Sequence, residues 1–286
     1  MRAGKAAIGL ILAIGTQTAY GGDWRISVGG FYAESDSSIK VTDPIVGNDF
    51  KLDLETDLRL EESLLLPFFE LSYSPSPGHL WYLDWKQLHR QGENQAITRP
   101  FEVNIKDTVY QVQAGAHLNT RLDIDIIRLG YGYDLYQADD YTLTATLGLH
   151  TMLIGTVLEG EIGACLAGEL GNQQCGQTPI PRVVEHDVTA PLPDIGIAGR
   201  YQLWPGVELN GHFQYFYIKL SDLTGGLTDA KLGVSANIAK DWQISLAYNY
   251  YRVNVEVRDT VHDIKVADYN VRYSFTGPNL SVSYRF

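Results

Sequence analysis

Hydrophobic and polar side chains alternate along most of the chain with a period of two residues. From residue 242 to residue 250, every second side chain is apolar or aromatic, and those between are polar or small. Successive side chains of a β-strand point to opposite faces, so this pattern predicts a strand with one apolar and one polar face. The same alternation occurs in residues 127–135, 141–150, 194–203, 207–217, 230–238 and 279–286.

The length of the apolar faces favours a membrane barrel over a soluble β-sandwich, whose strands also alternate. Each face is about as long as the 9–11 residues that a tilted strand needs to cross a bilayer. Tyr and Trp lie near the predicted strand ends, as in the aromatic girdles of barrels. We therefore expect an all-β fold, a closed antiparallel transmembrane β-barrel, with a soluble periplasmic sandwich as the alternative.

Connections rich in Pro, Gly and Asp predict the number of strands. Short turns alternate with long polar loops, which gives ten strands with both termini on the short-turn, periplasmic side. Eight or twelve strands remain open because residues 50–60 and 101–116 are ambiguous. The short turns are 74–78, 137–140, 204–206 and 239–241, and the long outer loops are 35–62, 92–107, 159–191, 221–226 and 257–267.

Two positions interrupt the regular alternation. The apolar side chains change phase at Ile126–Ile127 and again at Tyr250–Tyr251. A β-bulge inserts one extra residue into a strand and would shift the phase in this way. The sequence therefore predicts a bulge at each position.

The N-terminus has the three-part pattern of a secretory signal peptide. Arg2 and Lys5 precede an apolar run at residues 6–15, and small residues follow. The run is too short to cross a bilayer as a helix. We expect residues 1–22 to be a signal peptide and residues 23–286 to form the barrel with its long outer loops.

Composition makes the protein acidic. The chain has 22 Lys and Arg residues against 34 Asp and Glu residues, a net charge of −12 at pH 7. This balance argues against nucleic-acid binding, which needs a basic face. The 2 cysteines exclude a disulfide-rich scaffold and a zinc site built from four thiolates.

The C-terminal residues carry a resemblance to a known class. With the signal peptide and the alternating strands, the final Ser283-Tyr284-Arg285-Phe286 resembles a Gram-negative outer-membrane β-barrel protein. In that class the last strand ends in an aromatic residue with another two positions earlier, which Phe286 and Tyr284 match. The resemblance implies a bacterial outer-membrane location. It also implies lipopolysaccharide, phospholipid and the barrel assembly machinery as partners, and it leaves the oligomeric state open.

Charged side chains on the polar faces are the first candidate site. Basic and acidic residues there nearly cancel, which suggests ion pairs that fill a narrow lumen. The alternative is a charged constriction in a small-solute channel. The predicted lumen network consists of Arg25, Glu70, Asp84, Lys86, Arg128, Asp134, Asp194, Arg200, Glu208, Lys231 and Arg285.

The acidic segment 35–62 is the second candidate. Asp53, Glu55 and Asp57 alternate and would share one face of an extended segment, where carboxylates can hold Ca²⁺ or Mg²⁺. The spacing is not that of an EF-hand, and a solvated acidic loop is the more common outcome for a charge run. No other cofactor is expected.

Two cysteines lie in one predicted outer loop. Cys165 and Cys175 are separated by a glycine-rich stretch in a chain that carries an export signal. Paired cysteines in exported proteins usually form disulfides, so a Cys165–Cys175 bridge is expected.

Enzymatic motifs are missing from the sequence. There is no Gly-x-Ser-x-Gly, His-Glu-x-x-His or phosphate loop, and no motif of the omptin proteases or of the lipid A acylating or deacylating barrels. His186 lies between Glu185 and Asp187, but adjacent residues on a strand face opposite ways. We therefore expect a non-enzymatic anchor that displays acidic loops. The first alternative is a narrow porin-like channel, and the second is a barrel enzyme acting on lipid or peptide at its outer rim.

Overall fold

The computed structural model describes residues 22–42, 49–97, 100–105, 108–166, 179–219, 223–261 and 264–286. Its barrel strands are β1 (Asp23–Thr42), β3 (Ser63–Ser74), β4 (His79–Ala96), β7 (His117–Gln137), β8 (Tyr141–Leu166), β9 (Ile180–Trp204), β10 (Val207–Lys219), β11 (Leu223–Asn237), β12 (Trp242–Val261) and β13 (Ile264–Arg285). Neighbours pair antiparallel in the order β8-β7-β4-β3-β1-β13-β12-β11-β10-β9, and a β8–β9 pairing closes the ring. The expectation of a closed ten-stranded barrel is confirmed.

Three further strands in the described residues lie outside the ring. They are β2 (Asp49–Asp53), which pairs with β1, and the hairpin β5 (Phe101–Ile105) and β6 (Thr108–Val112), which pairs with the last residues of β8. These segments lie in the two ambiguous stretches of sequence, and they extend the walls of the barrel without adding to its circumference. The described parts of the chain contain no helix that is long and apolar enough to cross a membrane.

Both ends of the described chain and the short turns lie at one end of the barrel, which we call the turn end. Trp24 and Phe286 exchange two backbone hydrogen bonds of 3.0 Å there. Gly78 and Gly206 each adopt a φ of 82°, which L side chains rarely adopt, and so allow tight reversals between neighbouring strands. The predicted position of the four short turns agrees with this arrangement.

At the other end, which we call the far end, strands continue where long loops were expected. Strand β8 runs to Leu166 and β9 begins at Ile180, so most of the predicted loop 159–191 is sheet. Strands β12 and β13 likewise occupy most of the predicted loop 257–267. The expectation of long irregular outer loops is wrong for these described residues, because polar side chains here cover the outside of a sheet.

The polarity of the two barrel faces reverses halfway along the strands. In the turn-end half of β7, Arg128 and Gly130 point inward and Leu129 points outward. In its far half, Ile124 and Ile126 are fully buried inside the barrel, and polar residues such as Asp125 alternate with them on the outside. Apolar side chains therefore face out near the turns and face in toward the far end.

No bulge accompanies this reversal, and both predicted bulges are wrong. Pairings of β7 with β4 and β8 run without a register shift through Ile126 and Ile127. Those of β12 with β11 and β13 run without a shift through Tyr250 and Tyr251. The apparent change of phase arises because the apolar residues move from the outer to the inner face of an uninterrupted strand.

The inward apolar side chains of the far half form a hydrophobic core. A sheet surrounded by water buries apolar residues inside, whereas a sheet surrounded by lipid can expose them. Ten residues of β7 at about 3.3 Å each, tilted by about 40°, extend the far half about 25 Å beyond the apolar belt. The core includes Phe31, Phe68, Leu88, Ile124, Met152, Leu227 and Phe275.

Candidate functional site

A cluster of buried charged side chains lies inside the barrel between its two halves, and we call it the central plug. Its hub is Asp229 of β11, which is 1% exposed. Its Oδ2 atom lies 3.5 Å from Lys86 Nζ and 3.4 Å from His150 Nε2, and its Oδ1 atom lies 3.2 Å from His212 Nε2. The plug consists of Tyr82, Asp84, Lys86, Arg128, His150, Asp194, His212, Gln214 and Asp229.

Arg128 connects opposite walls of the barrel through the plug. Its Nε atom donates to Asp84 Oδ2 at 2.5 Å, and its Nη1 atom donates to Gln214 Oε1 at 2.5 Å and lies 3.8 Å from Asp229 Oδ2. The guanidinium also lies over the Tyr82 ring, 4.8 Å from its centroid. A buried cation needs such partners, because an unpaired charge is costly in a low-dielectric interior.

Tyr82 crosses the lumen because its neighbours are small. Its ring lies against Gly130, where any added methyl group would overlap with it, and its hydroxyl is close to Gly148. From there the Tyr82 hydroxyl accepts a 2.9 Å hydrogen bond from Nε2 of Gln214. The ring of Tyr82 thus covers Gly130 on β7 and reaches β10, and it closes the turn-end side of the plug.

His150 bridges two carboxylates. Its Nδ1 atom lies 2.9 Å from Asp194 and its Nε2 atom lies 3.4 Å from Asp229. The imidazole is 1% exposed and packs against Tyr251, with ring centroids 5.9 Å apart. Because His150 is almost completely buried, its place in the network is that of a link between two carboxylates.

A polar cavity of about 780 Å³ separates the plug from the turn end. Turn residues such as Ser76 and Gly78 line one end, and the other end stops at Tyr82, Arg128 and Gln214. Past the plug, the far half contains the apolar core and the buried Arg90, which pairs with Glu55 and Ser37. In the turn-end half, the lumen is therefore a chamber that extends from the turns to the plug.

All residues of the predicted lumen network point into the barrel, but they divide into two groups. Asp84, Lys86, Arg128 and Asp194 belong to the plug. The others line the chamber, where Lys231 lies 3.7 Å from Glu70 and Arg200 lies 3.8 Å from Glu208. The chamber residues of the predicted set are Arg25, Glu70, Asp134, Arg200, Glu208, Lys231 and Arg285, and Arg128 also lines it.

The hub of the plug is not among the predicted lumen residues. Asp229 lies one residue before the alternating segment 230–238, and it shares the inward face with Lys231. Extending that alternation by a single residue would have found it. Nothing in the sequence marks Tyr82 and Gln214 in the same way. Their side chains are neutral, so the sequence does not indicate that they belong to a network of charged residues.

The three acidic residues proposed as metal ligands do not form a single site. Residues 53–57 form a turn, closed by a 2.8 Å bond from the Asp57 N–H to the Asp53 carbonyl, so they share no extended face. Glu55 accepts hydrogen bonds from Arg90 and Ser37, and Asp57 accepts one from the Asp53 N–H. The described residues contain no group of three metal-ligating side chains.

The remaining predicted residues have different outcomes. His186 lies on β9 between Glu185 and Asp187, which are exposed on the outer face while His186 points the other way. Cys175 and the side chain of Cys165 lie outside the described residues, so the disulfide stays a prediction.

The two C-terminal aromatics take part in an aromatic cluster at the turn end. The rings of Tyr284 and Phe286 are stacked 5.9 Å apart, and Tyr284 also lies 4.9 Å from Trp242. Trp24 stacks on Phe286 at 6.4 Å and on Tyr73 at 4.3 Å. These rings cover the outside of the seam where the first and last strands pair.

Comparison with known proteins gives structural neighbours only. No family model and no curated protein matches the chain. It is similar to the Pseudomonas putida toluene transporter TodX, with 11% identity over 93% of this chain and 90% of that chain and a TM-score of 0.36. It is also similar to Ail, the attachment invasion locus protein of Yersinia pestis, with 12% identity over 93% and 99% of the chains and a TM-score of 0.31.

A third neighbour is Neisserial surface protein A, with 10% identity over 93% of this chain and 100% of that chain and a TM-score of 0.32. The closed antiparallel barrel that the resemblance implies is present in the strand pairings of this chain.

Proposed function

We propose that this protein is a non-conducting, non-enzymatic outer-membrane barrel that anchors a rigid extension of its own strands above the membrane. The observation that carries the proposal is the reversal of polarity along uninterrupted strands. On β7, Leu129 and Tyr133 are exposed on the outside near the turns, whereas Asp123 and Asp125 take the outside farther along. Such a pattern suits a barrel half in lipid and half in water.

The interior supports an anchor over a channel. The plug closes the chamber, and beyond it Phe31, Phe275 and their neighbours form a core of buried apolar side chains. Such a core leaves little room for water or ions, since protein interiors are packed as densely as organic crystals. The porin-like alternative is therefore disfavoured.

In this proposal, the part displayed above the membrane is the far half of the barrel, which we call the outer wall and which consists of β-sheet. Its outer face carries carboxylates on both sides of β8, including Asp123 on β7 and Asp187 on β9, which face each other across Gly155. Arg121 lies beside them, 3.0 Å from Asp123. Lipopolysaccharide and phospholipid would surround the apolar belt below this wall. The aromatic C-terminus, Tyr284 and Phe286, would be the signal for the assembly machinery.

Cysteine labelling on intact cells tests the location and the orientation together. In a Cys165→Ser/Cys175→Ser background, single cysteines replace Arg121 on the outer wall, Leu147 in the apolar belt and Lys240 in a turn. A maleimide that cannot cross membranes should label Arg121→Cys on intact cells. It should label Lys240→Cys only after the outer membrane is permeabilised, and Leu147→Cys only after detergent extraction.

Two outcomes would overturn the proposal. Labelling of Lys240→Cys, but not of Arg121→Cys, on intact cells would place the turn end outside. Labelling of all three sites in a membrane-free fraction would identify a soluble protein. Correct folding of each variant is checked beforehand by the heat-modifiable gel shift of an extracted barrel.

A further inference from the structure

Two arginines face each other at the opening of the chamber. Arg25 on β1 and Arg285 on β13 are direct cross-strand partners, and both side chains line the cavity. Like charges in directly opposite positions destabilise a sheet. Among the described residues, neither guanidinium has an ion pair within 4.0 Å or a side-chain hydrogen bond. Two sets of strong donors therefore converge on the cavity without an acceptor.

Three of the four carboxylates of the chamber wall are already engaged elsewhere. Glu208 lies 3.8 Å from Arg200 and accepts a 3.0 Å hydrogen bond from Gln243. The other two pairs involve different cations and donors: Glu70 lies 3.7 Å from Lys231, and Asp134 accepts a 2.6 Å hydrogen bond from Thr144. The fourth, Asp23, is exposed at the turn end and has no ion pair with either arginine among the described residues.

The rest of the chamber is lined mainly by neutral polar groups. Hydroxyls of serines and threonines such as Ser72, Thr142 and Ser281 face the cavity, together with the amide of Asn210. These groups both donate and accept hydrogen bonds, so they suit a ligand that carries hydroxyls. The volume of about 780 Å³ falls within the range of small-molecule sites.

We propose that the chamber binds a small hydroxylated anion, a sugar phosphate or a sugar acid, with Arg25 and Arg285 holding its charged group. A guanidinium presents a planar fork of donors that matches phosphate and carboxylate oxygens equally well. The hydroxyls of the wall contact the sugar. The site is separate from the displayed surface, and binding to purified barrel does not depend on how the protein is oriented in the membrane.

Isothermal titration calorimetry on the refolded barrel in detergent tests the site directly. The probes are glucose 6-phosphate, glucuronate, neutral glucose and inorganic phosphate. One or both of the charged sugars should bind, and which of them binds distinguishes a phosphate from a carboxylate ligand. Glucose and inorganic phosphate should each bind at least tenfold more weakly than that sugar, because each lacks half of the recognised chemistry.

Variants assign the binding to the two arginines. The Arg25→Gln/Arg285→Gln double variant should weaken binding at least tenfold, and it should fold because the substitution removes a repulsive pair. Arg25→Lys/Arg285→Lys keeps the charge and loses the fork, so its affinity should fall between those of the other two proteins. Arg121→Gln removes an arginine from the outer wall and serves as the matched control with unchanged affinity.

The proposal fails if folded protein binds none of the probes at a ligand concentration of about 10 mM. Such a concentration would detect even a dissociation constant in the millimolar range. It also fails if the double glutamine variant binds as tightly as the wild type. Equal binding of inorganic phosphate and glucose 6-phosphate would refute the part of the proposal that concerns the sugar.

Discussion

Ile126 and Ile127 are identical, consecutive side chains with opposite surroundings. Ile126 is 0% exposed inside the barrel, and Ile127 is 37% exposed on its outer face. On the turn-end side of this pair the outward residues are apolar, and on the other side the inward residues are apolar. The edge of the apolar belt on β7 therefore lies between two neighbouring residues.

This pair gives a matched test of the reversal. Ile126→Ala should lower the free energy of unfolding by about 2–5 kcal/mol, because it leaves a cavity in a packed core. Ile127→Ala should have a clearly smaller effect, because this side chain is exposed on the outer face and is not part of the core. Urea unfolding of both variants in phospholipid vesicles, followed by tryptophan fluorescence, measures the difference. Equal losses would mean that the far half has no packed interior.

Asp229 should be the most sensitive carboxylate of the plug. Asp229→Asn keeps the shape and removes the negative charge that lies near Lys86, Arg128 and two histidines. Breaking a buried pair in this way should cost about 3–5 kcal/mol. Asp187→Asn, on the exposed outer wall, should cost less than about 0.5 kcal/mol. A similar unfolding midpoint for the two variants would contradict the hub role.

Gly130 and Gly199 give a second matched pair. A methyl group at Gly130 would overlap with the ring of Tyr82, whereas at Gly199 the nearest atom would lie 3.8 Å away. Gly130→Ala should therefore destabilise the barrel by about 1–3 kcal/mol through overpacking, and Gly199→Ala should be nearly neutral. Adding Tyr82→Ala to Gly130→Ala should remove most of the clash, so the two losses measured by urea unfolding should not add.

Glu55 should fix the acidic segment to the barrel. It accepts hydrogen bonds from Ser37 and from Arg90, whose side chain is almost fully buried. Glu55→Gln should weaken this attachment and speed trypsin cleavage after the exposed Arg59 several-fold, since proteolysis reports local opening. Glu62→Gln, at an exposed residue of the same segment, is the control. Mass spectrometry of the fragments would show whether both variants are cleaved at the same rate, which would exclude the attachment.

The barrel, its strand number and the position of its short turns were predictable from the sequence. Alternation and turn chemistry are local properties, and residues 242–250 or the turn at Gly78 show them without any knowledge of neighbours. The inward face near the turns was also predictable, since it follows from the period of two.

The far half was not predictable in the same way. Alternation indicates that the two faces of a strand differ in polarity, but it does not indicate which medium surrounds each face. Ile126 and Tyr251 therefore looked like breaks in the pattern. The acidic residues of 35–62 looked like a solvated loop because the partner of Glu55 is Arg90, which lies 35 residues away in the sequence. Such a pairing depends on the fold and leaves no local signal.

The wild-type protein should show no ion conductance in a planar bilayer. Removing one side chain of the plug should not create a conductance. Tyr82→Ala removes the ring that closes the chamber, but the core around Phe68 and Phe275 still blocks the far half. No ion crosses a packed apolar interior at a measurable rate, because an unpaired charge there is too costly. Single-channel recording on both proteins, with folding verified by the gel shift, checks the prediction. Stable conductance steps from the wild type would show an open path and return the small-solute channel as the leading function.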